Sequence, residues 1–226
     1  MFQSFDWRTG IHFEDNGVHA SRLSSWSNSN LSLSGGTHFG FVVSGEAELT
    51  CSAGKFRLRQ GMYFAVPDEC QVHGEGNGMV VTRLGFRGLF QVGGPVEQTG
   101  RLRYIDGCSD TLLISPVVLG DACLNLLHIP PHTDQTRHTH PSLRAGVIFK
   151  GSGTCETPTV SHSLDPGTLF VIPADQQHSF HTTDSDLLVI AYHPDSDFGP
   201  QHDDHPMVNR TIVDGVAANK IAEIRT

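Results

Sequence analysis

The sequence has no apolar run approaching the 18 or so residues that a membrane-spanning helix needs. It is also short of basic residues. Lys and Arg number 15 against 24 Asp and Glu, a formal net charge of -9, and no basic cluster stands out to neutralise phosphates. These absences predict no membrane and no nucleic acid among its partners, leaving a small molecule or another protein. The opening, Met1-Phe-Gln-Ser-Phe-Asp-Trp-Arg8, lacks the basic and apolar regions of a signal peptide. Cysteine is sparse and unpaired in pattern: Cys51, Cys70, Cys108, Cys123 and Cys155 are odd in number and show no CxxC. That predicts a reducing, cytoplasmic setting with inert thiols. Long charged helical stretches are missing as well. What is plentiful is Gly (24) and Pro (12) between short apolar runs, which predicts an all-β protein. At 226 residues the chain can form one large or two small domains, each with its own core.

The chemistry-bearing stretch is Arg137-His138-Thr139-His140-Pro141-Ser142-Leu143-Arg144, with His178 downstream. Residues two apart on a strand share a face, so His138 and His140 are expected to project side by side. Neutral imidazole is a common ligand for Zn, Fe, Ni and Cu. A third histidine from a neighbouring strand would complete a half-open site. His178 is the candidate, following Gly167-Thr-Leu-Phe-Val-Ile-Pro173, which reads as a short buried strand.

With these residues the chain resembles the cupins, whose motifs run G-x5-H-x-H-x3-4-E-x6-G and G-x5-P-x-G-x2-H-x3-N. His138-x-His140 and Gly151 match the first motif, and Gly167, Pro173 and His178 match the second. Four positions depart: His132 stands at the first glycine, Arg144 at the acidic ligand, Asp175 at the second-motif glycine and Thr182 at the final Asn. The resemblance implies a jelly-roll barrel, also described as a double-stranded β-helix, with a divalent metal on His138, His140 and His178. Fe(II) comes first, then Ni, Mn or Zn.

Sliding the chain against itself by 106 residues aligns Gly40 with Gly146, Gly45 with Gly151, Leu58 with Leu164, Gly61 with Gly167, Phe64 with Phe170 and Pro67 with Pro173. Two tandem cupin barrels with few short helices are therefore expected. Residues 1–92 would form the N-terminal barrel, 93–102 a linker, 103–198 the C-terminal barrel and 199–226 an extension. At the same offset His138, His140 and His178 fall on Ser32, Ser34 and Val72, and Arg144 falls on His38. The first copy has lost the triad, and His38 and His73 are expected to be satisfied or solvent-facing. Residues 1 to about 28 read as a lead-in with one or two edge strands, and 216–224 as a short closing helix. The His- and Asp-rich stretch from Gln201 to Arg210 is either a second metal site or, more simply, a polar loop.

Arg144 shares strand parity with the two histidines, so it is expected inside the barrel. A guanidinium beside a divalent ion makes sense with an anion between them, which would give Arg144 a catalytic role in orienting substrate. It could instead turn to the mouth and pair with Asp175 or Asp134, or mark a site that no longer binds metal. Gln135, Gln176 and Gln177 are candidates for a fourth ligand or for binding a metal-bound water, and His181 for an outward or supporting role. The resemblance implies a dioxygenase-like enzyme acting on a small, anionic molecule, with a homodimer common among such barrels. The alternative is a stand-alone ligand-binding or sensory protein without catalysis.

Overall fold

A computed structural model of the chain describes residues 1–201 and 205–224. The first half contains β1 (Gln3–Phe5), β2 (Gly10–Asp15), β3 (Ser21–Ser27), β4 (Asn30–Leu33), β5 (Gly36–Cys51), β6 (Gly54–Arg59), β7 (Tyr63–Pro67), β8 (Cys70–Leu84) and β9 (Gln91–Gly93). The second contains β10 (Leu102–Arg103), β11 (Ser109–Ile114), β12 (Cys123–Ile129), β13 (Arg144–Gly151), β14 (Gly153–Glu156), β15 (Ser161–Leu164), β16 (Leu169–Ile172), β17 (Ser179–His181) and β18 (Leu187–His193). The protein is all-β, and every strand pairing is antiparallel.

The two halves repeat one strand order. In the first it runs β2-β3-β8-β5-β7-β9, and in the second, inside the short edge strand β10, β11-β12-β18-β13-β16-β1. The glycines that carry the sequence repeat sit at matching points of crowding. Gly40 pairs with Phe64 and Gly146 with Phe170, and each ring lies where a β-carbon would otherwise stand, at 2.1 and 2.7 Å. Gly45 and Gly151 both take positive φ, 72° and 77°, a conformation that glycine adopts without steric cost.

The sixth place in each order is filled from outside the repeat. β9, from the connecting segment, pairs with β7; β1, at the start of the chain, crosses over to pair with β16. The sequence division assigns β1 to the first unit, yet its hydrogen bonds go to the second. Phe2 beside it is buried in the C-terminal interior, stacked on Phe170 at 6.1 Å.

Strand alternation produces three cores. On β5, Phe39, Phe41 and Val43 face the other half while Val42 faces inward; on β13, Ala145, Val147 and Phe149 face the other half while Ile148 faces inward. Phe41 meets Phe149 edge-on at 4.9 Å, and Phe39 meets Tyr192 at 5.4 Å.

Two local expectations need correction. Residues 1–28 do hold two edge strands, β1 and β2, but they are more than a lead-in: β3 lies between β2 and β8 with Leu23 and Trp26 buried. Its serines disguise it, because buried Ser21 and Ser25 satisfy their hydroxyls on His19 O at 2.7 Å and Arg8 O at 2.6 Å. The tail forms no closing helix over 216–224. It has a short helix, α1 (Pro206–Arg210), then β19 (Ile212–Val213), β20 (Val216–Ala217) and a 3₁₀ turn at Ala218–Lys220. Asp214 and Gly215 bring β19 back on β20 with positive φ at both residues, a tight hairpin that competes with helix. Of the tail's suggested metal ligands, His202, Asp203 and Asp204 lie outside the described residues, and His205 caps α1 through Nδ1.

Candidate metal centre

His138 and His140 lie in the extended segment between β12 and β13 rather than on a regular strand. A single bridge joins His138 to His178. His138 N donates to His178 O at 2.9 Å, His178 N returns the bond to His138 O at 3.0 Å, and Asp175 N donates to His140 O at 2.8 Å. The expectation of a full strand fails because Pro141 follows His140 and offers no N–H to continue a ladder. Backbone pairing of the histidine-bearing segments nevertheless fixes their separation.

The three rings converge. Centroids are 5.0 Å apart for His138 and His140, 4.6 Å for His138 and His178, and 5.2 Å for His140 and His178. One nitrogen from each lies within 4.8 Å of the others, and this is the one such group of three or more among the described residues. His138 Nδ1 lies 2.8 Å from Thr136 O, and His178 Nδ1 lies 2.9 Å from Gln176 O. A carbonyl can only accept, so in the neutral form of either ring the proton sits on Nδ1 and the lone pair on Nε2. Burial pushes His140 down to about 3, helped by Arg144 and the other two imidazoles. Burial likewise pushes His178 down to about 4. Neutral rings with outward lone pairs fit a divalent metal.

Beside the histidines is a cavity of about 270 Å³, lined by Arg144, Asp110, Asn125 and His193 among apolar side chains such as Leu127 and Val189. Arg144 stays inside. Its Nη1 donates to Ser142 Oγ at 2.7 Å, Ser142 O at 3.2 Å and Leu143 O at 3.0 Å. It pairs with neither suggested carboxylate: Asp134 instead holds His181 Nδ1 at 2.6 Å, and Asp175 is exposed. Ser142 Oγ in turn donates to Asp195, which lies 3.6 Å from His19 of the first half; Arg83 reaches His19 Nδ1 at 3.0 Å. A chain of polar contacts thus runs from the N-terminal half to the guanidinium.

The supporting candidates separate. Gln135 lines the cavity, but its Oε1 accepts from Phe180 N at 3.1 Å and its Nε2 points at Cys108 Sγ. Its amide is therefore spent on structure. Gln176 contributes its backbone carbonyl to His178 while its side-chain amide bonds Gln177 O at 3.0 Å; Gln177 is exposed. His181 turns to Asp134 and Ser179. His193 and Asp110 escaped the sequence reading. His193 is findable from alternation along β18, where Leu187 and Val189 face inward and Leu188, Ile190 and Tyr192 face the other half. Its ring centroid is 6.5 Å from that of His140.

In the N-terminal half the corresponding interior is filled by side chains. Trp26 pairs with Gly78 as Leu127 pairs with Val189. The indole fills the interior so closely that a β-carbon on Gly78 would meet it at 1.8 Å. Val72, at the position of His178, is fully buried in apolar packing, while Ser32 and Ser34 are exposed. His38, opposite in role to Arg144, bonds Thr82 Oγ1 through Nδ1 at 2.8 Å and keeps a buried, unpartnered Nε2. His73 bonds Asn30.

Residues 125–193 match the family model for the cupin domain. Solved structures share the fold over most of the chain. A Cupin 2 conserved barrel domain protein from Leptotrichia buccalis is 10% identical with TM-score 0.55, covering 85% of this chain and 87% of that one. Protein Ylba from E. coli is 14% identical with TM-score 0.56, covering 80% and 78%. A salicylate 1,2-dioxygenase from Pseudaminobacter salicylatoxidans is 12% identical with TM-score 0.56, covering 77% and 71%. No curated protein matches the sequence. The matching segment runs from β12 to β18 and is similar to the cupin domain, and the fold beyond it is shared with solved structures.

Proposed function

We propose that this is a two-barrel cupin enzyme of dioxygenase type, with one divalent metal on His138, His140 and His178 and a small anionic substrate oriented by Arg144. The observation that carries the reading is the convergence of three imidazoles beside a guanidinium in one cavity. A salicylate 1,2-dioxygenase of the same fold has been solved with gentisate, a small aromatic acid, at 12% identity. The repeated strand order supports the two-barrel reading, and Trp26 and Val72 support a single metal in residues 103–198.

Three nitrogen donors leave coordination positions open, and a bound Fe(II), Ni, Mn or Zn would supply Lewis acidity and a template. The chain's own residues do the remaining work. Thr136 and Gln176 hold the His138 and His178 tautomers. Arg144, with Nη1 anchored by Ser142 and Leu143, offers the rest of its planar fork to a carboxylate or enolate. An anion there would also screen the guanidinium from the metal. The apolar part of the lining, Leu127, Ile172 and Val189 among it, would lower the local dielectric and strengthen both charge contacts.

Protein purified without chelators should carry close to one transition metal per chain, and His138→Ala should lose it. Anaerobic Fe(II) loading followed by oxygen-uptake assays against small acids and diketones should find turnover. A stoichiometry near two would overturn the one-site reading. Full metal occupancy without turnover of any substrate, under any metal, would replace the enzyme with a ligand-binding protein.

A further inference from the structure

The cavity has a second polar feature that the metal and Arg144 leave without a task. On β11 and β12, Asn125 Nδ2 donates to both oxygens of Asp110, at 3.0 and 3.1 Å. The same amide's Oδ1 is buried without a partner, in a residue only 7% exposed. Arg144 Nε, also on the cavity lining, is buried and unpartnered too. Buried polar atoms are nearly always satisfied, and each exception asks for a reason. A pair that served packing alone would leave no amide oxygen orphaned.

Leu127, Val189 and Ala191 beside the pair are apolar, with Arg103 and Tyr104 also on the lining, and the filled N-terminal half shows what packing requires there. Asn125 pairs with Ala191 as Ser24 pairs with Val80, so the large amide occurs only beside the open cavity. Burial pushes the Asp110 carboxyl up to about 6, which still leaves it mostly ionised slightly above neutral pH. The cavity therefore offers a fixed cation at one place and a carboxylate with an amide oxygen at another.

We infer that Asp110 and Asn125 form a second recognition point, so that the ligand is a small acid whose carboxylate meets Arg144 and whose other end carries a hydrogen-bond donor, a hydroxyl or an ammonium. The inference rests on the anion-binding reading of Arg144. It does not require the metal, because neither Asp110 nor Asn125 belongs to the histidine cluster.

Three probes of matched shape separate the possibilities: benzoate, 4-hydroxybenzoate and 4-(aminomethyl)benzoate, titrated calorimetrically slightly above neutral pH into zinc-loaded and chelator-treated protein. At least one donor-bearing probe should bind wild type roughly tenfold tighter than benzoate or better, the range of a charge-assisted hydrogen bond, in both preparations. Whether the phenol or the amine gains identifies the donor. Asp110→Asn should abolish that preference, with an unchanged melting profile and metal content showing that the variant is folded. Arg144→Gln should weaken all three. Equal binding of the three probes, binding of none, or a preference that survives Asp110→Asn would overturn the inference. If Arg144→Gln leaves all three unaffected while Asp110→Asn removes the preference, the anion reading fails and the donor site stands alone.

Discussion

At the scale of single residues, Arg144 and His38 are the same position put to two uses. Arg144 faces an open cavity, so Arg144→Lys should retain charge but lose the fork. The expected result is KM for the substrate raised roughly tenfold or more, with the metal content by elemental analysis unchanged. His38 faces a closed interior, and burial pushes it down to about 4, against about 6.5 in an unfolded chain. Between those values the unfolded state binds the extra proton. Stability is therefore full above about pH 6.5 and falls as pH drops toward 4, by up to about 3 kcal/mol from this residue. Melting temperature measured against pH should fall less steeply for His38→Leu than for wild type. The convergence of His138, His140 and His178 was readable because residue type and interval together repeat a known motif. The place of Asp110 was not, since it depends on which face β11 turns inward and on a bulge between Leu112 and Ile114.

At the scale of elements, β1 is the informative strand. Three residues long, it has little periodicity to betray it, yet Phe2 and its neighbours seal the end of the C-terminal interior. Phe2→Ala should cost about 3–5 kcal/mol in chemical denaturation, the range for a buried Phe truncation. β16, by contrast, was legible as a buried run between Gly167 and Pro173, and all four of its residues are buried. β3 was missed because serine lowers apparent hydrophobicity even where its hydroxyl is satisfied inside. The segment carrying His138 and His140 was expected to be a strand and is held by two isolated bridges instead, at Asp134 and His138, since the ladder ends at Pro141.

At the scale of the whole molecule, the repeat was visible because crowding forces glycine at equivalent points of each half. The shared core was not, since nothing local says which face of β5 or β13 meets another sheet. That core makes the halves interdependent. Residues 103–226 expressed alone would expose Ala145, Val147, Ile190 and Tyr192, all buried against the first half, and would lack β1. Such a fragment should bind a hydrophobic dye or aggregate, whereas a soluble, dye-silent product would contradict the shared-core account.

The crossover of β1 also governs what happens when the chain is cut. Arg101, in the connection, is exposed, and trypsin acting there would leave the first piece still threaded into the second through Gln3–Phe5. The nicked protein should elute as one species under native conditions and separate into two only in denaturant, a molecular clasp that outlasts the peptide bond joining its parts.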